Sequence, residues 1–306
     1  MVLERPDIIN RFIHYYQGIG ASHLALYHDG PVPDGLTTGD GITHTAMDAA
    51  FWANQESARP ADHILRQLIA YEESVRTDAS EWSLIVDIDE FLTSPIPISQ
   101  ILQRLGPDED ALRIRNVEAV WGPGDALGTT FTCSYMRTAG PPGRTRLLMR
   151  FLHGQHGALL RKGVTGHSLG KHFVRNGAPE LAVEIHHSER DGKIAGQWLH
   201  EAFPDLQDVL IAHFDAIDID HWTEKWSRRR GTPWEERNLE GARHSVLAAA
   251  IREAISADDN GQAARSLFAT LYGATRWQAL WLRLFGRLKR ARIFADPETG
   301  APYRGN

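Results

Sequence analysis

The sequence reads as an α/β chain with a mostly parallel, Rossmann-like central sheet, flanking helices and a helical C-terminal extension. Three observations predict this class. Helical and strand patterns alternate through residue 92 in the order helix, strand, helix, strand. The run Trp82-Ser83-Leu84-Ile85-Val86 is short, apolar and ends in β-branched residues, so it reads as a buried strand of a mostly parallel sheet. From about Trp234 onward the apolar spacing is helical throughout.

Taken in order, Ile8, Ile9, Phe12, Ile13, Tyr15 and Tyr16 recur at helical spacing, and Gly18 and Gly20 end that helix. Ser22–Tyr27 reads as a strand closing at His28-Asp29-Gly30, and a loop rich in Gly, Pro and Asp follows to about Gly41. Helical patterns cover 43–58 and 61–78, ahead of the strand at 82–86. After Pro95 and Pro97 the pattern changes. A short helix around 98–105 leads to strand-like pieces near 111–121, 129–137, 145–152, 157–162 and 181–187, joined by Gly-rich links. Helices are expected over 235–257, 260–272 and 276–294. These patterns divide the chain into a first domain, 1–233, and a helical extension, 234–306.

Composition bounds the function. The 306 residues are 42% hydrophobic with nine Trp, enough for a substantial core and unlike a disordered chain. A net charge of −6 and a pI near 6.2 argue against nucleic acid as the partner. The single Cys133 excludes an intramolecular disulfide or a cysteine-built zinc site and suits a reducing compartment. No stretch approaches the ~20 apolar residues of a membrane span. Glu4, Arg5 and Asp7 leave no apolar signal core at the start. A cytoplasmic protein, or one peripheral at the cytoplasmic face of the membrane, is the expectation.

The most informative residues are Asp87-Ile88-Asp89-Glu90-Phe91, directly after the Trp82–Val86 strand. Carboxylates at the carboxyl end of a strand point into the crevice where open α/β sheets bind ligands. Hard oxygen donors in that place suit Mg²⁺ or Mn²⁺ and, through the metal, a diphosphate, which is the chemistry of a nucleotide-sugar glycosyltransferase. A plain surface turn would also collect Asp and Glu. A calcium loop fits poorly, because no Gly stands at its sixth position. An aspartyl-phosphate phosphatase would need Thr or Val where Phe91 stands. Lys171 and Arg175, four apart, could reach a diphosphate together, or form a solvated basic face. Lys225 with Arg228-Arg229-Arg230 offers the same two readings. An inverting transfer needs a base near the acceptor hydroxyl, and Glu118, Asp125 and Glu184 are the candidates.

Several of these residues form a series: Glu4, Phe12-Ile13-His14-Tyr15-Tyr16, Gly18-Ile19-Gly20, Leu26-Tyr27, Arg66-Gln67, Trp82 and Asp87-Ile88-Asp89-Glu90-Phe91-Leu92. The series resembles the glycosyltransferase family 2-like and family 92-like (DUF23-type) enzymes, over about residues 2–232. Gly166–Arg175 is similar to a later element of that family. Ala212-His213-Phe214, with Lys225 and Arg228–Gly231, is similar to its closing element. The sequence departs from the family pattern at Phe214, where Tyr is usual, and at His172, where Ser is commoner. It departs again in having only Met1-Val2-Leu3 ahead of Glu4, where the family has a first strand. Either the native chain starts upstream of Met1 or that edge of the sheet is shorter.

The resemblance implies a GT-A-type fold and transfer of a sugar from a UDP-linked donor to a hydroxyl of a glycan or lipid-linked acceptor, with inversion. It implies Mn²⁺ or Mg²⁺ held by Asp89, with Asp87 nearer the ribose or a metal-bound water and Glu90 orienting the metal shell or sugar hydroxyls. It implies His213 as a further metal ligand and Asp29 as a nucleoside contact. A non-catalytic glycan- or nucleotide-binding relative of the same fold is the alternative. Finally, Trp277, Leu280, Trp281, Leu284, Phe285, Leu288 and Ala291 make an apolar stripe flanked by Arg276, Arg283, Arg287, Lys289, Arg290 and Arg292. A basic amphipathic helix of this kind over 276–294 lies in an anionic membrane interface, or packs as an ordinary helix on the rest of the chain.

Overall fold

Pro6 fixes the backbone at the first turn of helix α1 (Pro6–Gly18), and Asp7 in that turn complements the helix dipole. The computed structural model describes residues 2–55, 58–160, 162–228, 241–257 and 259–303, with the backbone alone for 241–245. Strands β1 (Leu24–His28) and β2 (Ile42–Ala46) and helices α2 (Ala49–Ala53) and α3 (His63–Thr77) follow. Then come β3 (Trp82–Ile85), β4 (Glu90–Thr93), α4 (Ile98–Leu102), β5 (Ala111–Ile114), β6 (Asn116–Val120), β7 (Tyr135–Arg137) and α5 (Pro142–His153). The chain continues through β8 (Lys171–Arg175), β9 (Ala182–Val183), β10 (Ser188–Arg190), β11 (Lys193–Ala195), β12 (Gln197–Trp198) and α6 (Leu199–Ala202). After β13 (Leu210–His213) come α7 (Ile219–Arg228), α8 (Gly241–Ser256), α9 (Gln262–Tyr272) and α10 (Arg276–Leu284). The last elements are β14 (Leu288–Arg290), β15 (Phe294–Asp296) and β16 (Ala301–Pro302).

The chain divides into two compact units. The first comprises Met1–Asn116, Leu169–Ile211 and Ile293–Asn306, and the second Val117–Ser168 and Ala212–Arg292. In the first unit a four-stranded sheet runs in the order β12-β5-β8-β3, with β8 antiparallel to both neighbours and β12 parallel to β5. β1 and β2 form a separate parallel pair, and Val2 makes a single parallel bridge with His28. Helix α1 buries Ile8, Ile9, Phe12, Ile13, Tyr15 and Tyr16. The Phe12, Tyr15 and Tyr16 rings pack around Phe91 of β4, and Phe294 of the C-terminal tail closes on Tyr15 and Phe91. A cavity of 740 Å³ lies between β1 and β3, and Tyr16, Leu26, Tyr71, Trp82, Leu84 and Leu102 are among its walls.

In the second unit β7 lies antiparallel between β6 and β14, and β13 follows β6. Helices α7, α8 and α9 pack on one another, with Trp121, Trp222, Phe268 and Tyr272 forming an aromatic core.

The α/β class holds, but the sheets are mixed rather than mostly parallel. Strand β8 is the reason: it re-enters the first unit after the long excursion 117–168 and inserts antiparallel between β3 and β5. Other elements differ locally. The 43–58 pattern splits into β2 and the single turn α2, because Ile42-Thr43-His44-Thr45 find β1 as a pairing partner. Residues 142–153 form helix α5 rather than a strand near 145–152. Pro142 opens it, and Thr145, Leu148 and Met149 bury one face at helical spacing. Around 157–162 a 3₁₀ turn (Gly154–Ala158) stands where a strand was expected. The last helix stops at Leu284 rather than 294: Gly286, at φ +64°, turns the chain into β14, which pairs with β7. The start of the 235–257 helix lies outside the described residues; α8 accounts for the rest.

Candidate functional site

In the first unit the acidic motif forms a tight turn between β3 and β4. The Glu90 N–H donates to the Asp87 carbonyl at 3.0 Å, and the Asp87 N–H donates to Glu90 Oε2 at 2.8 Å. Helix α1 pins this turn from below through the Tyr16 hydroxyl, which donates to the Glu90 carbonyl at 2.9 Å, and the Tyr15 hydroxyl, which donates to Leu92. Burial pushes both phenols well above their ordinary range, so each stays a neutral donor.

Lys171, the first residue of β8, lies with its side chain wholly buried against the turn. Its ammonium donates to Asp87 Oδ2 at 2.7 Å and lies 3.2 Å from Glu90 Oε2. Gly170 makes this approach feasible: it sits at φ +76°, and a Cβ there would fall 2.2 Å from the Ile114 carbonyl oxygen. Gln67 Nε2 and the Tyr71 hydroxyl, one helical turn apart on α3, both donate to Asp87 Oδ1, at 2.7 and 3.2 Å. Burial by itself would raise the Asp87 carboxyl, but the Lys171 ammonium holds it well below the usual carboxylate range. Burial would likewise lower Lys171, and the charges of Asp87 and Glu90 hold it well above its ordinary value. Asp87 is therefore ionised, oriented and already accepting on both oxygens. Asp89 is buried in the same turn at 8% exposure.

The other sequence candidates fall in different places. Lys171 and Arg175 share a face of β8 but are separated by four extended residues, about 13 Å. Arg175 stacks on Trp82 at 4.4 Å, ion-pairs with Glu81 and donates to the carbonyls of Glu109 and Gly106, so it is not gathered at the acidic turn. Lys171 and Arg175 therefore stand at opposite ends of β8 and do not converge at the acidic turn. Asp29 is clamped by the Arg66 guanidinium through both oxygens (2.9 and 2.8 Å) and by Arg59 at 3.0 Å, which anchors the start of α3 to the end of β1. Burial would raise its carboxyl, and Arg66 brings it below the ordinary value.

Glu118 and His213 belong to the second unit. Glu118 is 3% exposed and fully engaged: Oε2 accepts from both forks of buried Arg137, and Oε1 accepts from the Thr165 hydroxyl, the Thr165 N–H (2.7 Å) and the Gly166 N–H (2.9 Å). Asp215 extends this network, accepting from the Tyr272 hydroxyl at 2.6 Å and the Lys225 ammonium at 3.4 Å. His213 lies beside the network with its ring 5.1 Å from that of His167. Asp125 closes a turn by accepting from Gly122, Ser134 N–H and Ser134 Oγ. Glu184 is half-buried in the first unit, and its carboxylate accepts no hydrogen bond among the described residues. Arg228 ends α7 exposed, while Arg229 and Arg230 lie outside the described residues.

Sequence reasoning missed Tyr71, Arg137, Thr165 and Asp215 as members of buried polar networks. Only Tyr71 carried a signal, its i+4 spacing from Gln67 on one face of a helix. Asp87, Asp89 and Glu90 are not among the residues lining the 740 Å³ cavity, although Val86 and Ile88 beside them are. In donor chemistry the carboxylates of Asp89 and Glu90 could hold a hard divalent cation; Asp87 has both oxygens already accepting, and Glu90 Oε2 already meets the Asp87 N–H and the Lys171 ammonium. No family model, no curated protein and no solved structure matches this chain.

Proposed function

We propose that the protein is a metal-dependent glycosyltransferase of GT-A type, moving a sugar from a UDP-linked donor to a hydroxyl of a glycan or lipid-linked acceptor, with inversion. The observation that carries this reading is the turn Asp87–Glu90 at the carboxyl end of β3, gathered around a buried lysine. When bound, Mn²⁺ or Mg²⁺ supplies Lewis-acid neutralisation of the charge that builds on a departing diphosphate. Asp89 and Glu90 would hold it. Lys171 keeps Asp87 ionised, and Gln67 and Tyr71 fix its rotamer, so that Asp87 presents a preset acceptor toward the ribose or a metal-bound water. Glu184 is the best supported of the three base candidates, because Glu118 and Asp125 spend their oxygens on the protein itself.

Calorimetric titration of UDP with and without Mn²⁺, on the wild type and on Asp89→Ala, tests the reading. Metal-dependent binding that disappears in the variant supports it. Failure of every nucleoside diphosphate to bind, with or without metal, refutes it. The engagement of Asp87 by three protein donors favours a second reading, a non-catalytic binding relative whose acidic turn is structural. Such a protein would show neither metal-dependent hydrolysis nor transfer of a sugar from the nucleotide.

A further inference from the structure

Helices α5 and α10 of the second unit lie side by side. The Phe151 and Trp281 rings meet edge to face at 5.7 Å, and Gln278 Nε2 donates to the Leu152 carbonyl at 3.1 Å. Each helix buries a narrow face: Thr145, Leu148 and Met149 on α5, and Ala279 and Leu282 on α10. Most of the apolar stripe of α10 and two apolar residues of α5 are outside. Leu147, Phe151, Trp277, Leu280, Leu284 and Phe285 are all more than half exposed, with Leu147 at 71% and Leu284 at 68%. Trp281 ties them together, contacting Trp277, Phe285 and Phe151. Single exposed apolar residues are ordinary, but a contiguous aromatic and aliphatic patch on two adjacent helices marks an interaction surface.

The charge around the patch is of one sign. Arg144, Arg146 and Arg150 on α5 and Arg276 and Arg283 on α10 are exposed, and Lys289 and Arg290 follow on β14. No Asp or Glu occurs in 142–153 or 276–292, in a chain whose net charge is −6. A second copy would bring the same arginines to a twofold contact, and like charges would oppose it. We propose that this face docks on an anionic lipid bilayer, with Leu147, Phe151, Trp277, Leu280, Leu284 and Phe285 entering the headgroup and acyl boundary and the arginines meeting lipid phosphates. Helices lying in the plane of the interface with aromatic and leucine residues on one side and arginine at the margin have this composition. The helix is too short to cross, and no helix among the described residues is long and apolar enough to do so. The proposal is independent of the transfer reaction.

Co-sedimentation of the full chain with phosphatidylcholine vesicles, with and without phosphatidylglycerol, tests it. Binding is expected to anionic vesicles only and to weaken as salt rises. The exposed-residue variant Leu280→Ser/Leu284→Ser/Phe285→Ser should lower partitioning by about tenfold per residue. The variant Arg144→Gln/Arg150→Gln/Arg283→Gln should lower it by about fivefold per arginine. Circular dichroism and melting of both variants should match the wild type, because none of these side chains is buried. Absence of wild-type binding overturns the proposal, as does equal binding to neutral vesicles or binding unchanged in both variants. Self-association that the serine variant abolishes, without vesicle binding, would assign the patch to a second copy instead and equally overturn it.

Discussion

Replacing Lys171 by Met removes the one ammonium that pairs with Asp87 and Glu90 and keeps a straight apolar side chain of similar length in its place. Lys171 and Glu90 have wholly buried side chains, and Asp87 is 32% exposed. Removing one partner of a buried ion pair costs about 3–5 kcal/mol, because the remaining charge is left without compensation. The lower end applies here, since Asp87 keeps Gln67, Tyr71 and some water, and Glu90 keeps the Asp87 N–H. A destabilisation of about 3 kcal/mol in a unit of this size lowers Tm by about 6–12 °C. Melting followed by far-ultraviolet circular dichroism checks this shift. The pH dependence follows from the depressed Asp87. Its contribution is complete above the unfolded value of 3.8 and lost as pH falls below it toward the lower folded value, so the gap between variant and wild type should close there. Adding Glu90→Gln to Lys171→Met should recover about 1 kcal/mol or more, because it removes the stranded buried charge. A loss under about 1 kcal/mol, typical of exposed pairs, or no recovery in the double variant, would refute the reasoning.

Two further outcomes follow from burial. His28, His153 and His172 are at most 9% exposed, and burial lowers them from 6.5 to about 4, 4 and 3, respectively. The unfolded chain therefore binds protons that the folded chain refuses, and stability should fall as pH drops from about 6.5 toward 4, by up to roughly 4 kcal/mol per pH unit; melting curves that stay flat from pH 7 to 5 would contradict this. Glu118→Gln places an amide donor against either Arg137 or the Thr165 and Gly166 donors, at a cost of about 3–5 kcal/mol, while transfer per folded molecule should persist; an unchanged Tm with collapsed transfer would make Glu118 a catalytic group instead.

Much of the first unit was legible in advance. Helix α1 is written in its apolar spacing and in Gly18, strand β3 in a short apolar run, and the acidic turn in its position directly after that run. Each is a local signal, decided by residues within a few positions. Helix α5 stands where a strand was expected because apolar residues of 147–152 lie both in the core (Leu148, Met149) and outside it (Leu147, Phe151), which blurs the helical period. Strand β2 was misread because its conformation depends on a partner, β1, rather than on its own side chains. For the same reason the pairing of Lys171 with Asp87, 84 positions apart, and the separation of Arg175 from that turn could not be read from spacing.

By itself the sequence determined which residues carry charge, where the apolar periods lie and that carboxylates cluster at the end of one strand, because these are properties of neighbours along the chain. Only the tertiary structure decided that β8 runs antiparallel beside β3, that its lysine enters the acidic turn, and that the stripe on α10 faces outward beside α5. Those outcomes depend on which distant segments compete for each buried edge and face, and that competition is settled by packing.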